Sequence, residues 1–158
     1  MNPEMGLGRR QALKTGGGLG LLALFASLGL IQPGAAWAAR NEKAFAAKTA
    51  GEALSALGIA VPQDSAALQL TVPEIAENGA VVPVTVVSLL PRTEQIFILC
   101  DKNPTVLIAN FVIPEGTEGS VTTRIKMAET ANVIALVKAG GKFYRSAKEV
   151  KITLGGCG

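Results

Sequence analysis

Histidine is absent from the 158 residues, and this excludes more chemistry than any other feature of the composition. Without imidazole there is no Ser-His-Asp or Cys-His nucleophile system, no His-ligated metal and no haem held by an axial histidine. Cysteine occurs only at Cys100 and Cys157, so one chain cannot supply a Cys₄ zinc or iron–sulfur site, and there is no Cys-x-x-Cys pair. Aromatic residues make up 4% of the chain, and its single tryptophan, Trp37, lies near the N-terminus. A self-sufficient enzyme is not expected; nor is a cofactor or a metal site.

A charge excess is lacking as well. Lys and Arg number 15 against 12 Asp and Glu; setting aside Arg9, Arg10, Lys14 and Glu4 leaves 12 basic and 11 acidic residues with no basic cluster. The electrostatic footprint of a nucleic-acid binder is missing. The length predicts one domain.

What is present begins with an export signal over residues 1–38. Arg9, Arg10 and Lys14 form a positive end, and residues 19–31 (LGLLALFASLGLI) form an apolar run. That run is too short to span roughly 30 Å of hydrocarbon, which takes about 20 residues, so no membrane anchor is expected. Pro33-Gly34 breaks the helix, and Ala36-Trp37-Ala38 has the small-x-small pattern of a cleavage site, with cleavage expected after Ala38. The pair Arg9-Arg10 before a Gly-rich core resembles a twin-arginine signal, although Gly8 and Ala12 replace residues usual in that motif. Export after folding implies something acquired before export, and a co-exported protein partner is expected.

The mature domain, residues 39–154, reads as a helix followed by strands. Residues 41–57 are Ala-rich, and Gly58 supplies a helix stop. Beyond Gly58, short Val-, Ile- and Thr-rich runs alternate with Pro, Gly and Asn, which predicts strands at 68–72, 80–88, 95–100, 106–113, 120–128, 132–138 and 142–154. About seven strands after one short helix fit a mainly β fold, an immunoglobulin-like antiparallel sandwich. Alternation is clearest where Val121, Thr123, Ile125 and Met127 oppose Thr122, Arg124 and Lys126, so one face of that strand is expected to be wet. Pro83 interrupts a run that is apolar on both faces and cannot donate to a ladder, which predicts an edge or a bulge. Such an edge needs covering, either by the helix or a loop or by a second protein.

Residues 155–158 read Gly-Gly-Cys-Gly. Gly155, Gly156 and Gly158 forfeit side-chain packing and maximise backbone freedom, so a flexible arm carrying a free Cys157 thiol is expected. At roughly 3.3 to 3.6 Å per residue the sulfur would reach about 10 Å beyond Leu154. A thiol near its ordinary pKa is only about 3% ionised at pH 7, no fixed cation adjoins it in sequence, and a terminal carboxylate one residue on would raise its pKa. The arm therefore offers reach and an attachment point, and a visiting enzyme must activate the sulfur. Three plainer readings stand beside this one. Cys157 could pair with Cys100, although Cys100 ends an apolar run and looks like a small buried hydrophobe. It could be a frayed end. Lipid attachment fails because the cysteine is misplaced for either box.

Taken together, the export signal, the segment Pro73 to Val84, Asp101-Lys102-Asn103-Pro104, the segment Thr123 to Thr130 and the Gly-Gly-Cys-Gly sequence resemble the SoxY family over essentially the whole chain. The family tail typically has one further glycine. The resemblance implies a periplasmic, non-enzymatic carrier of the thiosulfate-oxidising system, which holds thiosulfate-derived sulfur on Cys157. It also implies a SoxZ-like heterodimer partner and visits from a haem-containing SoxAX-type enzyme, a SoxB-type hydrolase and a sulfane dehydrogenase. The competing expectation is an exported immunoglobulin-like structural or binding module whose terminal cysteine forms a disulfide.

Overall fold

A computed structural model of the chain describes residues 40–153; the export signal expected over 1–38 lies outside them. Two short helices, α1 (Glu42–Ala46) and α2 (Ala50–Ala56), precede nine strands among the described residues. These are β1 (Gln63–Asp64), β2 (Leu68–Thr71), β3 (Ile75–Ala76), β4 (Val82–Ser88), β5 (Thr93–Cys100), β6 (Leu107–Val112), β7 (Ser120–Ile125), β8 (Ala131–Ala139) and β9 (Lys142–Ile152). All seven expected strands are present, with ends shifted by a few residues. The two additional strands, β1 and β3, are two residues long and pair in parallel with β9.

The helical stretch breaks in the middle. Ala47 is extended (ψ 138°), and Thr49 caps α2: its hydroxyl accepts the Glu52 N–H at 3.2 Å while the Glu52 carboxylate accepts the Thr49 N–H at 3.2 Å. This reciprocal capping box favours a new helix start over a continuous one. Asn41 caps α1 by accepting the Ala44 N–H.

The strands form two sheets. The larger has the order β1-β9-β8-β5-β6, with β3 also on the outer edge of β9; the smaller has the order β2-β4-β7. Between them lies the main core, built from Leu68, Leu70, Val82, Val84 and Val86 on one side and Ile96, Ile98, Cys100, Val133, Ala135 and Val137 on the other. Phe97, Leu99, Leu107 and Leu136 point to the opposite face of the large sheet, where Ala44, Ala53 and Ile59 from the helical segment pack on them. β5 is therefore buried on both faces, which accounts for its unbroken Ile-Phe-Ile-Leu run. The result is a sandwich with a third, helical layer.

The strand that carries Pro83 is not an edge strand, although at Pro83 itself β4 is paired on one side only. β4 is the central strand of the small sheet, paired with β2 over Thr85 to Ser88 and with β7 over Val82 to Val87. Pro83 sits where β4 has run past the last residue of β2, so the missing N–H is accommodated within a central strand. The helices cover the large sheet and not this strand; Val82, Val84 and Val86 are buried inside the sandwich, while Val81 and Pro83 stay exposed on the outer face. The alternation expected for β7 holds: Ile125 and Met127 are buried, and Thr122, Arg124 and Lys126 are exposed.

Candidate functional site

The expected site residues, Gly155, Gly156, Cys157 and Gly158, lie outside the described residues; the structure describes the ground from which they leave. Chain direction and register place that ground at one end of the sandwich. β9 runs antiparallel to β8, and Ala131 at the start of β8 faces Val150 near the end of β9. The turns after β5 and β7 and before β4 gather there.

Main-chain and side-chain hydrogen bonds tie these turns together. The Met127 N–H donates to the Gly79 carbonyl at 2.7 Å, joining the turn before β4 to the segment after β7. Asn103 spans from the large sheet to the small one: its amide donates to the Lys126 carbonyl at 2.6 Å, and its side-chain oxygen accepts the Ala128 N–H at 3.1 Å. Asp101 accepts from Asn132 twice, from the backbone at 2.9 Å and from the side-chain amide at 2.7 Å. The end of β9 enters the same network. Its Ile152 N–H donates to the Thr130 hydroxyl at 3.0 Å, and the Thr153 N–H donates to the Ala76 carbonyl at 3.2 Å. The three internal segments that carry the family resemblance thus converge where β9 ends. Nothing in their spacing along the chain signals that; their pairing partners are brought together only by the sandwich.

Cys100 ends β5 inside this region. It is fully buried in the main core and carries a free thiol. Burial pushes the thiol pKa up, with the charges of Asp101 and Glu129 adding to it, while the backbone N–H groups of Lys102 and Asn103 pull the other way. A neutral, desolvated thiol is a poor nucleophile, and Cys100 serves as a small core hydrophobe.

A groove of about 650 Å³ lined by Arg92, Glu94, Thr117 and Lys138, among others, lies at the opposite end of the sandwich. Lys138 and Ala131 are separated along β8 by roughly 24 Å, whereas the four residues from Leu154 to Cys157 extend at most about 14 Å. Among the described residues no cluster of His, Cys, Asp and Glu could hold a metal ion, and no helix is long and apolar enough to cross a membrane.

The family model for "Sulfur oxidation protein SoxY" matches residues 54–157, a span that includes Cys157. Among solved structures, the chain is similar to the sulfur carrier protein SoxY from Chlorobium limicola f thiosulfatophilum, with 42% identity and a TM-score of 0.61, covering 70% of this chain and 96% of that one. It also aligns with a superoxide reductase (neelaredoxin) from Ignicoccus hospitalis at 17% identity and a TM-score of 0.49, covering 62% of this chain and 86% of that one. No curated protein matches. The chain belongs to the SoxY family of sulfur oxidation proteins.

Proposed function

We propose that the chain is an exported covalent carrier of sulfur-oxidation intermediates, with Cys157 as the attachment point and Gly155, Gly156 and Gly158 as the flexible arm around it. The observation that carries this reading is the family match over residues 54–157, which runs through the Gly-Gly-Cys sequence, together with the likeness to a protein described as a sulfur carrier. The burial of Cys100 supports it by leaving Cys157 as the thiol available for loading. Residues 1–38 are the cleaved export signal, residues 39–154 the folded domain and residues 155–158 the arm, and the place of work is the periplasm.

The chemistry assigned to the carrier is modest. Loading joins Cys157 Sγ to the outer sulfur of thiosulfate: an S–S bond forms, the thiol gives up its proton, and an electron pair passes to a haem enzyme of the SoxAX type. In a SoxB-type hydrolase, water attacks the terminal sulfonate sulfur, sulfate leaves, and a persulfide stays on Cys157. A sulfane dehydrogenase then removes electrons from that outer sulfur while water supplies oxygen. The carrier itself keeps the cargo tethered, which turns each encounter into an effectively intramolecular one. A SoxZ-like protein is its heterodimer partner.

Intact mass measurement of protein from thiosulfate-grown cells tests this reading. Sulfur and sulfonate additions on the C-terminal peptide, lost in Cys157→Ser and kept in Cys100→Ala, are expected. A lasting covalent dimer through Cys157, or a bond from Cys157 to Cys100, would instead make the chain a disulfide-linked binding module.

A further inference from the structure

We infer that Thr130 is a positioning residue for the carrier arm: with Ala76 and Glu77 it clamps the end of β9 and makes Thr153 the pivot from which Cys157 swings. The inference rests on the carrier reading of Cys157 and extends it to the described residues that hold the base of the arm.

The ladder between β8 and β9 stops at Ala131 and Val150, two residues short of the end of β9. Past that point a strand end normally frays. Here the N–H groups of Lys151, Ile152 and Thr153 find acceptors on alternating sides. Lys151 donates to the Glu74 carbonyl at 2.9 Å and Thr153 to the Ala76 carbonyl at 3.2 Å, both on the β3 side. Between them, Ile152 donates to the Thr130 hydroxyl at 3.0 Å, so a side-chain oxygen stands in for the main-chain carbonyl that β8 no longer supplies. The Thr153 hydroxyl adds a bond to the Glu77 carbonyl at 3.3 Å. β3 is two residues long: Ile75 is 59% exposed, and Ala76 adds one small side chain to the main core. Its pairing with β9 spans Lys151 and Ile152, beyond the end of the β8 ladder.

Where the clamp ends decides how far the sulfur travels. With Thr153 held, four residues lead to Cys157, a reach of about 14 Å; with the strand released back to Val150, seven residues lead there, a reach of about 25 Å. Effective concentration falls as roughly the three-halves power of tether length, so release dilutes the thiol at a docked active site by about two-fold.

The test uses the full chain and Thr130→Val, which keeps the shape and removes the hydroxyl. Amide exchange at Ile152 and Thr153 is expected to accelerate, and a spin label on Cys157 to show a broader distance distribution to a second label at Lys142→Cys. Loading from thiosulfate by the haem enzyme should fall, by at most the roughly two-fold of full release because the bonds to Glu74, Ala76 and Glu77 remain, while alkylation of Cys157 by iodoacetamide stays unchanged. Thr130→Ser should restore all of these. Thr153→Ala, which removes the Glu77 bond alone, gives a smaller change in the same direction if Thr130→Val does not fold. Exchange at Ile152 unaltered by Thr130→Val overturns the clamp, and faster exchange with unchanged loading overturns its positioning role. A wild-type chain that takes up no thiosulfate sulfur while its exchange is normal overturns the carrier reading itself, and the positioning role falls with it.

Discussion

Asn103 and Ala128 are joined across the two sheets, the Asn103 side-chain oxygen accepting the Ala128 N–H at 3.1 Å while its amide donates to the Lys126 carbonyl at 2.6 Å. One side chain thus satisfies two main-chain groups of the segment that leaves the small sheet. Asn103→Ala is expected to lower stability by about 1–3 kcal/mol, because both partners lose a hydrogen bond in a partly buried turn. Asn103→Asp keeps the acceptor and sets a carboxylate against the Lys126 carbonyl, so it should also destabilise. Urea denaturation checks both: the midpoint falls and the slope stays constant.

Cys100 is expected to resist alkylation in the folded protein and to react only after denaturation, because its thiol is fully buried. Its raised pKa sets the sign of a pH effect: the folded state holds the proton more tightly than the unfolded state. That contribution is complete below the ordinary thiol pKa and is lost as pH rises through the folded value. Stability should therefore decline above about pH 9, and Cys100→Ala should flatten the decline. Denaturation midpoints from pH 7 to 10.5 decide the matter; an identical decline in both proteins rules the thiol out.

Gly119 lies where a β-carbon would come within 3.1 Å of Thr93 Oγ1 and 3.2 Å of the Ser88 carbonyl oxygen. Both neighbours are committed: Ser88 Oγ and Thr93 Oγ1 share a hydrogen bond of 2.6 Å, and the Ser88 N–H donates to the Gly119 carbonyl at 2.7 Å. Gly119→Ala is expected to cost about 1–3 kcal/mol through crowding. Thermal unfolding should show a lower midpoint, and an unchanged one would mean that the turn shifts freely.

Asp64 and Arg145 make a 2.8 Å ion pair between β1 and β9. The hydrogen bond and charge of Arg145 hold the Asp64 carboxyl below the ordinary carboxylate range. A depressed carboxylate stabilises above its unfolded pKa and loses that contribution as pH falls through the folded value. Both side chains are largely solvated, at 77% and 50% exposure, so the pair is screened. Asp64→Asn should leave the unfolding midpoint at pH 7 unchanged within error in 0.5 M salt. A clear loss there would show that β1 depends on the pair.

Much of the sandwich is legible along the chain because strand faces repeat every two residues. Thr122, Arg124 and Lys126 announce a wet face, and the structure exposes them. The break between α1 and α2 is legible too: Thr49-Ala50-Gly51-Glu52 is a capping-box pattern, although the Ala-rich signal around it favours one continuous helix. Pro83 misleads for a physical reason. A proline forbids one hydrogen bond, and whether a neighbour was waiting for that bond depends on where β2 ends, which local sequence does not encode.

The sequence by itself determined which chemistry is open to this protein: the lack of imidazole, the pair of cysteines and the Gly-Gly-Cys-Gly segment are properties of composition and order that no packing alters. Only the tertiary structure decided which cysteine is sealed in the core and which residues hold the base of the arm. Thr130 meets Ile152 across 22 positions and Glu77 meets Thr153 across 76. Such partners have no periodic signature, because burial of the two sheet faces against each other sets their meeting, and neither hydrogen-bonding group selects it alone.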